Sequence, residues 1–280
     1  MLARVPLHGI GGLPYVDLTP LLDAAPLAEI DGEITLGLTR VQPPYTGGTL
    51  KWMGVCAPPV LADGHADAMH VLERLSPEQL ARFHALGEDG AAAVAYGDET
   101  DRPFTKAQML WLKYRHGVYF PWKVAYHFLE NDRWEDKNSG DGKSFRAEAR
   151  RVFPRTVAYL EALPFREIGR ALVFGLESND HAPLHRDTPP GAREIDHCIT
   201  IAPRPGKRFY LGDLSREKPV TKHFIADDAR LYWFNDMDWH GVEADPFFRY
   251  SIRVDGVFEP AFLARVQEHA ARVARAGHGG

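Results

Sequence analysis

Cysteine is almost absent from this chain. Its two residues, Cys56 and Cys198, lie far apart and form no CxxC pattern, which excludes a disulfide framework and a structural zinc site. Long apolar runs are missing as well, since nothing approaches the roughly 18 apolar residues that a membrane span requires. There is no excess of positive charge, the formal net charge being −5, so the electrostatics point neither to nucleic acid nor to an anionic membrane. The opening residues, Met1-Leu2-Ala3-Arg4-Val5-Pro6, lack the charged-then-apolar order of a secretion signal. No internal repeat or low-complexity block is visible. These absences together lead us to expect a reduced, cytoplasmic protein whose partner is a small molecule or a peptide. What is present is ordinary for a globular chain, 45% hydrophobic and 25% charged over 280 residues. That length suits one large domain, or a core with an N-terminal elaboration.

Along the chain, Glu33-Ile34-Thr35-Leu36-Gly37-Leu38-Thr39 alternates as a half-buried strand would. Thr49 to Val55 is placed to pair with it across a Pro/Gly-rich turn. Helices are expected to dominate from about 66 to 162. Ser76-Pro77-Glu78-Gln79 and Thr105-Lys106-Ala107-Gln108 are both capping boxes, the first with proline at the opening helical position. Pro121 should end or kink the second of these helices. A further helix is expected over about 144–162, with Phe145, Ala149, Val152, Phe153, Thr156 and Leu160 on one stripe. Arg146, Arg150, Arg151 and Arg155 fall on its other faces, as on a solvated surface. From Ile168 the pattern changes to short strands at 171–176, 195–201, 208–211, 222–225, 230–234 and 250–254. Pro260 then opens an amphipathic helix. Short, evenly spaced strands suggest a sandwich, jelly roll or barrel. We therefore expect an α+β chain with a mixed, helix-rich elaboration over 1–165, a β core over 166–258, and a C-terminal helix and tail over 259–280.

The chemistry concentrates in the β core. In His181-Ala182-Pro183-Leu184-His185-Arg186-Asp187, residues 185 and 187 share one side of an extended chain and can grip one ion. Two such ligands leave a site incomplete. His240, in Phe234-Asn235-Asp236-Met237-Asp238-Trp239-His240-Gly241, follows an apolar strand 53 residues later and supplies a third. Two histidines and a carboxylate with open positions suit non-haem Fe(II), especially where oxygen is activated. Arg249 and Ser251 follow on the next strand, on one face of it. An arginine there offers a bidentate grip on a carboxylate, and the serine a neutral bond beside it.

Taken together, His185-Arg186-Asp187, the Phe234 to Val242 stretch and Phe248-Arg249-Tyr250-Ser251-Ile252-Arg253-Val254-Asp255 resemble the Fe(II)/2-oxoglutarate-dependent dioxygenases. Within them the region from about 168 to 258 is most similar to the aspartyl/asparaginyl β-hydroxylase-like branch. The resemblance covers about a third of the chain. It implies a double-stranded β-helix, a distorted jelly roll of the cupin kind. It also implies Fe(II) on His185, Asp187 and His240, with 2-oxoglutarate and O2 as cosubstrates. Arg249 would hold the distal carboxylate of 2-oxoglutarate and His197 would assist. Arg249 lies nine residues after His240, closer than the family's usual spacing, which leaves Arg253 as a second candidate. The implied outcome is hydroxylation, or another oxidation, of a C–H bond in an amino acid, a peptide side chain or a natural-product intermediate.

Two other readings stay open at this level. His181, His185 and His240 would make a three-histidine site of the kind found in cupin-type thiol dioxygenases. A non-catalytic β-barrel that binds a ligand or partner would keep the strands and carry the histidines as ordinary polar positions. Asp236 and Asp238 flank the third ligand, either to orient it or simply to form a turn.

Overall fold

The structure is a computed structural model that describes residues 7–41, 54–56, 71–87, 104–132, 136–187, 196–204, 208–215 and 220–277. Two antiparallel sheets make its frame. In the larger, six strands run in the order β1 (Tyr15–Asp17), β10 (Leu231–Phe234), β7 (His197–Ile201), β12 (Arg249–Phe258), β5 (Phe165–Leu176) and β4 (Trp122–His127). The smaller holds β6 (Ala182–His185), β11 (His240–Val242), β8 (Phe209–Asp213) and β9 (Thr221–Phe224), in that order. Their non-consecutive neighbours and face-to-face packing fit a jelly roll.

Side-chain alternation gives each strand of the large sheet one apolar face. Ile252 and Val254 of β12 point the same way as their register partners Val173 and Ala171 on β5 and Ile201 and Ile199 on β7. This outer face is covered by helices α1 (Leu27–Gly37), α5 (Pro154–Glu161) and α6 (Pro260–Gly277), through Ile30, Ile34, Val157, Leu160, Phe262 and Val266. The inner face carries Tyr232 and Phe234, which pack with Leu211 of the small sheet. Leu176 and Trp122 meet Val242 and Phe209 in the same way. The two sheets thus share an interior, and the small sheet's inner side is the one that bears His185 and His240.

The capping boxes predicted from sequence are present. Ser76 opens α2 (Pro77–His84) and Thr105 opens α3 (Lys106–His116), each accepting from the N3 amide while the N3 glutamine returns a bond to the cap. The α3 helix ends at Gly117, whose φ of 67° is a left-handed conformation that glycine adopts without strain. It therefore stops before Pro121, and β3 (Val118–Tyr119) intervenes, paired with β2 (Val55–Cys56).

Three expectations need correction. Residues 33–39 are not a strand: Glu33 to Gly37 close α1, where Leu27, Ile30 and Ile34 form a helical stripe on the core. A seven-residue window of alternation matched both periods; of the proposed partner strand at 49–55, residues 49–53 lie outside the described residues, and Val55 pairs with Tyr119 instead. The expected 144–162 helix is two helices, α4 (Ala147–Val152) and α5, because Pro154 cannot continue the first and instead starts the second. The N-terminal half also does not stand apart from the β core. It contributes β1 and β4 to the large sheet itself, and β4 pairs with β5 across residue 165. The arginines of 146–155 lie on the surface as expected, with Arg150 bound to Glu161 and Arg155 to Glu29.

Candidate metal centre

The β6 and β11 strands run antiparallel, and their register places His240 directly opposite His185. The two imidazole centroids are 4.3 Å apart. Just past the end of β6, the Asp187 amide donates to the Asp236 carbonyl at 3.1 Å, which turns the Asp187 carboxylate toward both rings. His185 Nε2 lies 3.4 Å from one of its oxygens and His240 Nε2 lies 3.5 Å from the other. The donor atoms of all three fall within 4.8 Å of one another, and among the described residues this is the group able to hold a metal ion.

The donor set passes a chemical test of fit. Each histidine turns its Nδ1 to a backbone carbonyl: His185 to Pro183 at 2.7 Å and His240 to Asp238 at 2.9 Å. Those bonds protonate Nδ1 in the neutral ring and leave the Nε2 lone pair as the ligating position. Ligands about 2.1 Å from one ion in a tetrahedral arrangement sit about 3.4 Å apart, near the 3.4 and 3.5 Å between Asp187 and the two rings. Both rings are held rigidly. His240 lies between Phe209, whose centroid is 5.5 Å away, and Phe234, at 5.2 Å. His185 meets the edge of Trp122.

The electrostatics suit a cation. Burial works against an ionised Asp187, yet the adjacent imidazoles, His240 foremost, hold its carboxyl well below the usual range. Burial pushes His185 down, toward the neutral ligating form. His240 is raised instead, because Asp187 outweighs the burial. A divalent ion would displace that proton, and two neutral histidines with one carboxylate would remain.

Other sequence-predicted residues separate into those near this interior and those away from it. Arg249, Ser251, Arg253 and Asp255 alternate onto the inner face of β12. Arg253 is committed there, with its Nε 2.9 Å from Asp255. Arg170 of β5 grips the other oxygen of Asp255 at 2.8–2.9 Å. Burial works against the Arg253 charge, but Asp255 holds it well above its ordinary value. Arg249 is half-buried and, among the described residues, meets no carboxylate at ion-pair distance. Its hydrogen bond is a long one of 3.4 Å to the Glu243 carbonyl. Burial pushes its pKa down, yet an arginine stays charged in a protein.

His197 is not brought to the triad. It pairs with Gly256 and alternates to the side of Ile199, opposite to Thr200 and Arg253. There it stacks on Phe258 with centroids 4.9 Å apart, and its Nδ1 accepts from the Phe258 amide. His181 is exposed and lies against the Tyr119 ring at 5.0 Å, so the structure does not place it with His185 and His240. Asp236 and Asp238 do not orient His240 with their carboxylates; the Asp238 backbone carbonyl does so. The Asp236 side chain is 3.6 Å from Lys137, which also binds Asp196. Burial, together with Asp196, raises the Asp236 carboxyl above its ordinary range.

Sequence reasoning passed over Lys137 and residues 8 and 9, all of which reach the turn that bears His240. The Gly9-Ile10-Gly11-Gly12 run was the available signal, marking a backbone that must turn tightly.

The fold and the side chains define a two-histidine, one-carboxylate centre inside a jelly roll. No family model and no curated protein matches the chain. Solved structures resemble it only weakly. A 2OG-Fe(II) oxygenase family oxidoreductase from Burkholderia pseudomallei aligns over 48% of this chain and 68% of its own, at 11% identity and a TM-score of 0.31. A prolyl hydroxylase from Trichoplax adhaerens, solved with a hypoxia inducible factor oxygen degradation domain peptide fragment, aligns over 46% of this chain at 19% identity and a TM-score of 0.26. This chain spans 63% of that protein's length. An RmlC-like cupin protein from Desulfovibrio desulfuricans covers 31% of this chain and 73% of its own, at 13% identity and a TM-score of 0.21. Superpositions this loose add nothing to the side chains, which carry the functional reading alone.

Proposed function

We propose that this protein is a non-haem Fe(II)- and 2-oxoglutarate-dependent oxygenase that oxidises a C–H bond of an amino acid, a peptide side chain or a natural-product intermediate. The observation that carries the reading is the convergence of His185 Nε2, His240 Nε2 and the Asp187 carboxylate. His185, Asp187 and His240 would hold the iron with three protein donors and would leave room for a 2-oxo acid and O2, a ligand set associated with Fe(II) oxygenases. When bound, the iron with its cosubstrates supplies the oxidising equivalent, and the protein's part is binding, orientation and exclusion of water.

Each residue then has a task. Asp187 contributes the one formal negative charge to the ligand set, and the two histidines enter as neutral imidazoles whose tautomer is set by their carbonyl partners. Phe209, Phe234 and Trp122 keep bulk water from the interior side of the rings. Arg249, which meets no carboxylate at ion-pair distance among the described residues, is the residue we assign to the distal carboxylate of 2-oxoglutarate, and Ser251 to a neutral bond beside it. Arg253 is the second choice, because its Nε already serves Asp255 at 2.9 Å.

Anaerobic addition of Fe(II) and 2-oxoglutarate should produce a weak visible charge-transfer band, and under O2 the protein should form succinate. His185→Ala and Asp187→Ala should lose both. Retained turnover in both variants would sink the triad. A metal-loaded protein with no band would favour a ligand-binding barrel without catalysis. Arg249→Ala should chiefly raise the 2-oxoglutarate requirement; if Arg253→Ala does so instead, the assignment of the arginine is reversed. Mass spectrometry for added oxygen after incubation with candidate amino acids and peptides identifies the substrate.

A further inference from the structure

The turn between β10 and β11 presents the third ligand, and it is held by a segment more than two hundred residues earlier in the chain. Asp238 is 2% exposed, and residues 8 and 9 take both of its carboxylate oxygens. The His8 amide donates to Oδ1 at 2.7 Å, and the His8 ring Nδ1 meets the same oxygen at 2.9 Å. The Gly9 amide donates to Oδ2 at 2.7 Å. In return, the Asn235 side-chain amide donates to the Gly9 carbonyl at 3.3 Å. Asn235 also closes the turn, its side-chain oxygen accepting from the Met237 amide at 3.1 Å and its carbonyl from the Asp238 amide at 3.0 Å. Two backbone amides and a ring nitrogen thus converge on one buried side chain.

The clamping segment is rigid in its own right. Gly9 has a φ of +59°, and a Cβ there would lie 2.1 Å from the Leu13 carbonyl oxygen. Ile10 and Leu13 exchange backbone hydrogen bonds of 2.8 and 3.0 Å, and Ile10 is buried in the outer core.

We propose that Asp238 is a positioning residue of the metal centre, and that residues 8 and 9 complete the centre by clamping it. The carbonyl that orients the His240 ring belongs to Asp238 itself. Its direction follows the peptide plane after residue 238, and that plane is fixed by where the Asp238 side chain is anchored. Loosening the anchor lets the carbonyl swing and the His240 Nε2 leave its place opposite Asp187. The inference rests on reading His185, Asp187 and His240 as metal ligands. The alternative is that the same bonds tie the N-terminal segment to the barrel and do nothing more. In that case the clamp governs stability and leaves the metal affinity of the folded protein unchanged.

Co(II) titration of the full chain, followed through its visible spectrum, separates these, with far-UV circular dichroism defining a temperature at which each variant is folded. Wild type should bind Co(II) and His185→Ala should not. Asp238→Ala and Gly9→Ala should weaken binding ~10–100-fold, the range for partners that orient a ligating histidine, and should change the band shape. Asp238→Asn keeps one acceptor oxygen and should fall between wild type and Asp238→Ala. His8→Ala alters a side chain that is 54% exposed, too open to decide folding, and should shift affinity in the same direction by less. Equal affinity and an identical spectrum across wild type and the clamp variants, with only melting temperatures changed, would overturn the proposal and leave the metal reading intact. Absence of Co(II) binding by wild type would remove the metal reading and this inference with it. Should Asp238→Ala and Gly9→Ala fail to fold, His8→Ala and Asp238→Asn decide.

Discussion

On the outer face of the six-stranded sheet, Val16, Ile199, Ile201, Ile252 and Val254 pack against three helices. On the inner face, the same strands present Arg170, Arg253 and Asp255 one residue out of step, all at most 5% exposed. The first face is a hydrophobic layer of ordinary kind and stabilises the fold in proportion to the area removed from water. The second buries charge, which helps only if every charge is answered. Asp255 answers two arginines at once, and Lys137 answers Asp196 with Asp236 nearby. The difference teaches where the chain tolerates change. The outer face can be repacked as long as volume is kept. The inner face is a set of mutual obligations next to the candidate metal centre.

The comparison can be broken most sharply at Asp255. Asp255→Ala removes the buried carboxylate that Arg170 and Arg253 share and should cost ~3–5 kcal/mol or more in urea unfolding. A loss under 1 kcal/mol would mean that the inner face behaves as a solvated surface. On the outer face, Leu160→Ala should cost ~2–5 kcal/mol by cavity formation, with Co(II) affinity unchanged in the folded protein. A coupled loss of affinity would show that the two faces are not independent.

Lys137→Met should cost less than Asp255→Ala, about 2 kcal/mol, since the Lys137 and Asp196 side chains keep 12% and 19% exposure. Its pH dependence has a definite sign. Burial works against the Asp196 charge, but Lys137 holds its carboxyl below the ordinary 3.8. That contribution is therefore present above about pH 3.8 and lost as the pH falls below it. The gap between wild type and Lys137→Met should narrow on acidification through that window, and a gap that widens would reverse the assignment. The smallest effect is expected far from both faces. Thr105→Ala removes the cap of α3 and should cost ~1 kcal/mol, with no change in metal binding.

Much of the frame was readable from sequence, because local physics decides it. The capping boxes at Ser76 and Thr105, the C-terminal strands and the helix after Pro260 each declare themselves within a few residues. Local reading failed where two periods overlap, as at residues 33–37. It failed again where a single proline in an amphipathic stripe, Pro154, starts a second helix instead of continuing the first. The candidate ligand set was legible because His185 and Asp187 lie two residues apart on extended chain. His240 was legible because it follows an apolar strand. His197 was misplaced for the same reason that strands are hard to orient: a shift of one residue sends a side chain to the other face, and only the pairing with Gly256 shows which face it takes.

The sequence by itself determined the donor types, the strand-rich C-terminal half and the two helix starts, since each depends on neighbours within one turn or one strand. Tertiary structure alone decided that β11 lies against β6 in a register that sets His240 opposite His185. It alone brought residues 8 and 9 to Asp238. It also separated Arg249 from Arg253, because Asp255 takes only one of them. Those outcomes depend on long-range pairing and on which buried charges meet, and no window of sequence contains either.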